Sequence, residues 1–249
     1  MNAEWLKLRT VRAPYALVAA IGAVLAIGMV ISWLMVLDFD TSAEQANFAS
    51  ADNSVIVTPF TQFCVAALGA LIITSEYASG MIRTSLTAVP NRMSFAAAKI
   101  AVTGAVSFGI AVLCMTLSYA SSWLIMGDRP PPVAPWDTVG DLLPSALASI
   151  ASITVAGLLG LGLGMLLRSS AGALVTIGAL LWVLPSITTL LPEPWGTNVS
   201  AVMLPYLVPQ LAGTIPDAPL STFGAGLAMA AYMIITLGAG SVTLVRRGA

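Results

Sequence analysis

Six long apolar runs constrain this chain more than any other feature: residues 14–37, 55–75, 94–126, 143–167, 171–191 and 222–245. A helix rises 1.5 Å per residue, so about 20 residues cross a hydrocarbon core of about 30 Å. No water reaches the backbone there, and a single run can satisfy its own N–H and C=O groups only as a helix. Charged residues make up 8% of the 249, against about 25% in an ordinary soluble domain. So few charges cannot wet a water-facing surface, and lipid is the solvent. The expected fold is an all-α membrane protein of six transmembrane helices forming one domain over residues 1–249. The third run exceeds a simple crossing, so part of it extends into the cytoplasm or tilts. Only Arg168-Ser169-Ser170 separates the fourth run from the fifth, which predicts a tight helical hairpin.

Charge sets the orientation. Starting from a cytoplasmic N-terminus, six crossings place Lys7, Arg9, Arg12, Arg83, Arg92, Lys99, Arg168, Arg246 and Arg247 inside, leaving only Arg129 outside. The acids do the reverse, with only Glu4 and Glu76 inside. This is the positive-inside pattern, and five or seven crossings would spoil it. The first run follows a basic start but is longer than the roughly 7–15 residues of a signal-peptide core. It reads as an uncleaved span.

The connections differ in character. Outside, 38–54 is acidic, and 127–141 holds the run Pro130-Pro131-Pro132. Residues 192–221 are Pro-punctuated yet apolar, and two readings stand: a structured external cap, or short helices dipping back under cover of protein. Inside, 76–93 is the only sizeable loop. Cys64 and Cys114 lie in apolar runs and read as small buried apolar residues, not as a disulfide framework.

Several function classes drop out. There is no histidine, hence no H-E-x-x-H site, and there is no G-x-x-x-x-G-K-[ST] phosphate loop. No acidic or arginine side chain falls near the middle of a run, whereas proton-coupled carriers need one there. A secondary carrier is therefore disfavoured, and any ATPase is a separate chain. The spans carry only mild polar groups: Thr58, Thr61, Gln62, Thr103, Ser107, Thr116, Ser118, Thr154 and Thr176. These either satisfy one another between helices or line a path for an amphipathic substrate. The series Ala156-x₃-Gly160-x₃-Gly164 puts small residues on one helix face and permits close approach, within one subunit or between two.

After the second run comes Glu76-Tyr77-Ala78-Ser79-Gly80-Met81-Ile82-Arg83-Thr84-Ser85. This stretch resembles the first cytoplasmic loop of ABC-2 type permeases (type V exporters), roughly E-Y-x-S-G-x-x-R-x-S. The opening Glu4-Trp5-Leu6-Lys7-Leu8-Arg9, the turn Pro90-Asn91-Arg92 and Lys99 are similar to small actinobacterial members. The resemblance implies a permease subunit of an ATP-driven exporter in the bacterial cell membrane. It has no catalytic site of its own and binds no cofactor or metal, with ATP and Mg held by a partner. That partner is a pair of ATP-binding cassette subunits, joined by a second permease copy or paralogue; no nucleic acid is implied. Residues 2–12 would form an interfacial helix. Glu76, Tyr77, Ser79, Gly80, Met81, Arg83 and Ser85 would form the loop that couples to the ATPase. Glu76, Gly80 and Arg83 are spaced to share one helix face. The family places the substrate cavity along the second and fifth spans, so Thr58, Thr61, Gln62 and Phe63 are candidates for its lining. A rival reading is a non-transporting immunity or assembly protein, which needs no docking loop.

Overall fold

A computed structural model describes residues 12–42, 48–81 and 92–246, and among these the regular structure is helical throughout. The helices are α1 (Arg12–Thr41), α2 (Asn53–Ala78), α3 (Arg92–Met126), α4 (Val139–Leu167), α5 (Ser170–Gly178), α6 (Leu184–Thr188), α7 (Trp195–Ala201), α8 (Leu204–Ala212) and α9 (Thr222–Arg246). Helices α5 and α6 are two halves of one crossing, Ser170–Thr188, joined by a π-helical turn at Ala179–Val183. Pro185 has no N–H for the carbonyl one turn back, which is the usual reason a helix widens just ahead of a proline. The six candidate crossings are thus the six expected runs, with α1 extended to Thr41. The expected interfacial helix over 2–12 falls, apart from Arg12, outside the described residues.

Helices α2 and α4 form the central pair. Two thirds of each crossing is buried inside the protein, against less than a third for the other four. Their sequences explain the intimacy. A Cβ on Gly160 would overlap the carbonyl of Ala66, and one on Gly69 would overlap that of Gly157. The small-residue series therefore packs within the subunit, α4 against α2. Its neighbour Gly162 faces Thr236 of α9 in the same way. In lipid, where the hydrophobic effect does not hold helices together, such close packing is a principal cohesive term.

The segment before α9 dips into the bundle. Leu204 and Leu207 of α8 are buried in one cluster with Ala66, Leu159, Ile177 and Met229. The Tyr232 hydroxyl donates to the carbonyl of Val202, in the α7–α8 turn, at 3.1 Å. Tyr232 lies about 15 Å along α9 from its start, which is half the thickness of a hydrocarbon core. Gln210 makes the excursion tolerable: its Nε2 donates to the carbonyls of Ala201 and Tyr206, and its Oε1 accepts from Leu220 N at 3.0 Å. The segment thus packs onto the bundle as short helices, with these polar groups satisfied by protein.

Candidate functional site

The cytosolic end, assigned by the charge pattern, differs from expectation at its centre. Glu76 is not a loop residue. It sits in the last turn of α2, 4% exposed, and accepts from Lys99 Nζ of α3 at 2.8 Å. Lys99 is 2% exposed, so both charges are out of water and held by each other. Next to this pair, the Arg168 guanidinium lies 5.2 Å from the centroid of the Tyr77 ring. Arg168 also donates to the carbonyl of Thr243 at 3.2 Å, and Arg92 donates to those of Leu244 and Val245 at 3.2 and 3.0 Å. Two arginines thus cap the C-terminal carbonyls of α9, where the helix dipole is negative. The ties close a ring: α2 to α3, α3 to α9, α9 to the α4–α5 turn, and back to α2.

Helix α2 stops just beyond. Ser79 N and Oγ both meet the carbonyl of Ser75, and Gly80 has a φ of +69°. A Cβ there would touch nothing within 4 Å, so the glycine serves the left-handed turn and not a close approach. The expectation that Glu76, Gly80 and Arg83 share one helix face is corrected, because the helix ends between the first two. Met81 begins a new turn and is 43% exposed. Arg83 and Ser85 lie outside the described residues.

At the opposite, external end a cavity of about 620 Å³ opens between α2, α4, the α5–α6 crossing and α8. Thr58 and Gln62, one turn apart on α2, line it. Thr61 does not: it is fully buried on another face. Phe63 contributes indirectly, stacking at 4.8 Å on Trp182 of the π turn, whose own side chain is a wall. Asp52, just before α2, lies at the rim and is 8% exposed. It caps α2: Ser54 N donates to its Oδ1 at 2.8 Å, Ser54 Oγ to its Oδ2 at 2.6 Å, and Ser122 Oγ to Oδ1 at 3.4 Å. Burial pushes its carboxyl above the ordinary value of 3.8, with these hydrogen bonds pulling the other way. No basic side chain among the described residues pairs with it.

A family model described as ABC-2 family transporter protein matches residues 1–184, from the start of the chain through the π turn and the first residue of α6. The chain belongs to this ABC-2 transporter family. It is accordingly a multi-pass membrane permease subunit, whose partner in the family is an ATP-binding cassette ATPase. No curated protein and no solved structure matches it. The matched region takes in the whole Glu76–Ser85 stretch and the α2 wall of the cavity, but not α7, α8 or α9.

Sequence reasoning missed two features of this ABC-2 permease: the Glu76–Lys99 pair and Asp52. Both had a signal. Lys99 is a lysine seven residues inside an apolar helix, where an unpaired charge is expensive. Asp52 stands before a helix with a serine two positions on, the pattern of an N-cap.

Proposed function

We propose that this ABC-2 permease exports an amphipathic compound by alternating access, driven by a separate ATPase that engages the chain just after α2. The observation that supports this reading is the ring of ties at the cytosolic end. A push on the Ser79–Ser85 stretch enters α2 at a helix terminus that is ion-paired to α3 and stacked on the α4–α5 turn. Packed helices move as units, and α2–α4 runs without a gap from that end to the cavity. Displacing the foot of α2 therefore changes the shape of the external cavity without local unfolding.

In this scheme Met81 and the residues after it meet the ATPase, and Gly80 is the joint. Glu76 and Tyr77 are positioning residues that keep the joint attached to the bundle. Two ATPase subunits bind ATP and Mg, and a second permease copy or paralogue completes the assembly in the bacterial cell membrane. This chain contributes no nucleotide chemistry.

The test is co-expression with a cognate ATP-binding cassette ATPase, measuring co-purification and vanadate-sensitive export. Met81→Glu and Gly80→Pro should abolish export while leaving a folded permease, because Met81 is exposed and Pro is incompatible with a φ of +69°. Wild-type export by both variants would refute the coupling assignment.

A further inference from the structure

The external cavity carries a chemical preference. Its polar lining is rich in acceptors and hydroxyls: the Asp52 carboxylate, the Gln62 side chain, and Ser54, Tyr119 and Ser149. Gln62 is 1% exposed, and its Nε2 donates to Ser152 Oγ, yet its Oε1 has no hydrogen-bond partner. A buried carbonyl oxygen left open costs on the order of 1–3 kcal/mol unless something fills it. Asp52 receives three hydrogen bonds from neutral donors, while a carboxylate offers about four acceptor positions. No lysine or arginine lines the space. The remaining walls are apolar, including Val55, Leu181, Trp182 and Val208.

We propose that this cavity binds a monocationic amphiphile, its cationic centre held against Asp52 at the rim and its apolar body against Trp182 and Val208. Three observations carry the assignment together. The first is an acid without a basic partner on the wall, the second a buried amide about 15 Å further along the same helix whose oxygen accepts no hydrogen bond, and the third a volume within the ~300–1,000 Å³ range of small-molecule sites. An anionic amphiphile meets no donor of positive charge here and would have to lie against a carboxylate. The aromatic face of Trp182 adds a surface that attracts cations. The acidic external loops reinforce the sign by raising the local concentration of cations. This inference rests on the permease reading, since it names the substrate class of that permease's cavity.

The experiment uses the full-length chain in phosphatidylcholine nanodiscs, with empty discs to subtract uptake by lipid. Tetraphenylphosphonium and tetraphenylborate, ions of one shape and opposite charge, are the probes. The wild-type chain should bind the cation at least tenfold more tightly than the anion. Asp52→Asn removes the charge and keeps an N-cap acceptor, so it should weaken the cation at least tenfold and leave tetraphenylborate unchanged. Val208→Trp fills the cavity and should abolish cation binding. Equal wild-type affinity for the two ions, undiminished cation binding by a folded Asp52→Asn, or binding that survives Val208→Trp would each overturn the proposal. The wild-type contrast and the Val208 variant decide the matter even if Asp52→Asn fails to fold. Failure here would leave the ATPase coupling standing, because the Met81 and Gly80 variants read that separately.

Discussion

The two ends of the bundle hold their polar groups in opposite ways. At the cytosolic end the described charges are tied across helices: Glu76 with Lys99, Arg168 with Tyr77 and Thr243, Arg92 with the end of α9. At the external end a carboxylate and an amide face an open cavity, and the one ion pair described there, Arg129–Asp40 at 2.7 Å, lies on the surface. Cross-linked charges resist separation, so one end moves as a block. On the proposed function, the less tightly tied groups around the cavity are where the other end accepts a ligand and changes shape. A pump needs both properties, and they are separated here by the length of one helix pair.

The shared α2–α4 axis is where the comparison breaks most completely. Gly160→Leu would drive a side chain into the carbonyl of Ala66. Overpacking costs ~1–3 kcal/mol even in forgiving cores, and here the obstacle is backbone. The expected result is loss of monodisperse protein in detergent, read by size-exclusion chromatography. A normal profile would mean that the two ends are not joined as described.

Next in size is the buried pair. Lys99→Met removes the buried ammonium that Glu76 accepts from and should cost about 3–5 kcal/mol, whereas the double change Glu76→Leu with Lys99→Met should recover most of it. Apparent melting temperatures of the single and double variants decide the point. Equal losses would show that the pair is not the tie that it is taken to be.

Asp52 should give a smaller effect with a definite sign. Its folded carboxyl holds its proton to higher pH than the unfolded one. Its contribution to stability is therefore full below the ordinary carboxylate range and fades as pH rises through the raised value. The difference in melting temperature between wild type and Asp52→Asn should shift against the wild type as pH rises from about 3.8. A flat difference curve would place Asp52 in water, not in the cavity rim. Last, Arg129→Ala should leave the melting temperature unchanged within error, as exposed pairs contribute little. A large loss there would make the external end as firmly tied as the cytosolic one.

Much of this was legible before any coordinates. The six crossings are legible in the sequence, and so is the apolar character of 192–221, although only the tertiary structure, through contacts such as Tyr232–Val202, shows it packed onto the bundle. For the cavity, Thr58 and Gln62 were named together with Thr61 and Phe63. Only the first two are spaced by four, so they alone share the cavity face of α2. Glu76 was expected in a loop because apolarity ends at Ser75, but the helix runs to Ala78, because Lys99 supplies the charge that lets Glu76 stay buried.

The sequence by itself determined how many times the chain crosses the membrane and which end is which. Both follow from sums over contiguous residues: transfer energy across a window of about 20, and positive charge counted loop by loop. Only the tertiary structure decided which polar groups meet and which stay open. Whether Lys99 finds Glu76, or Gln62 looks into a void, depends on how helices far apart in sequence are rotated and how closely their glycines let them approach. No local window contains that information.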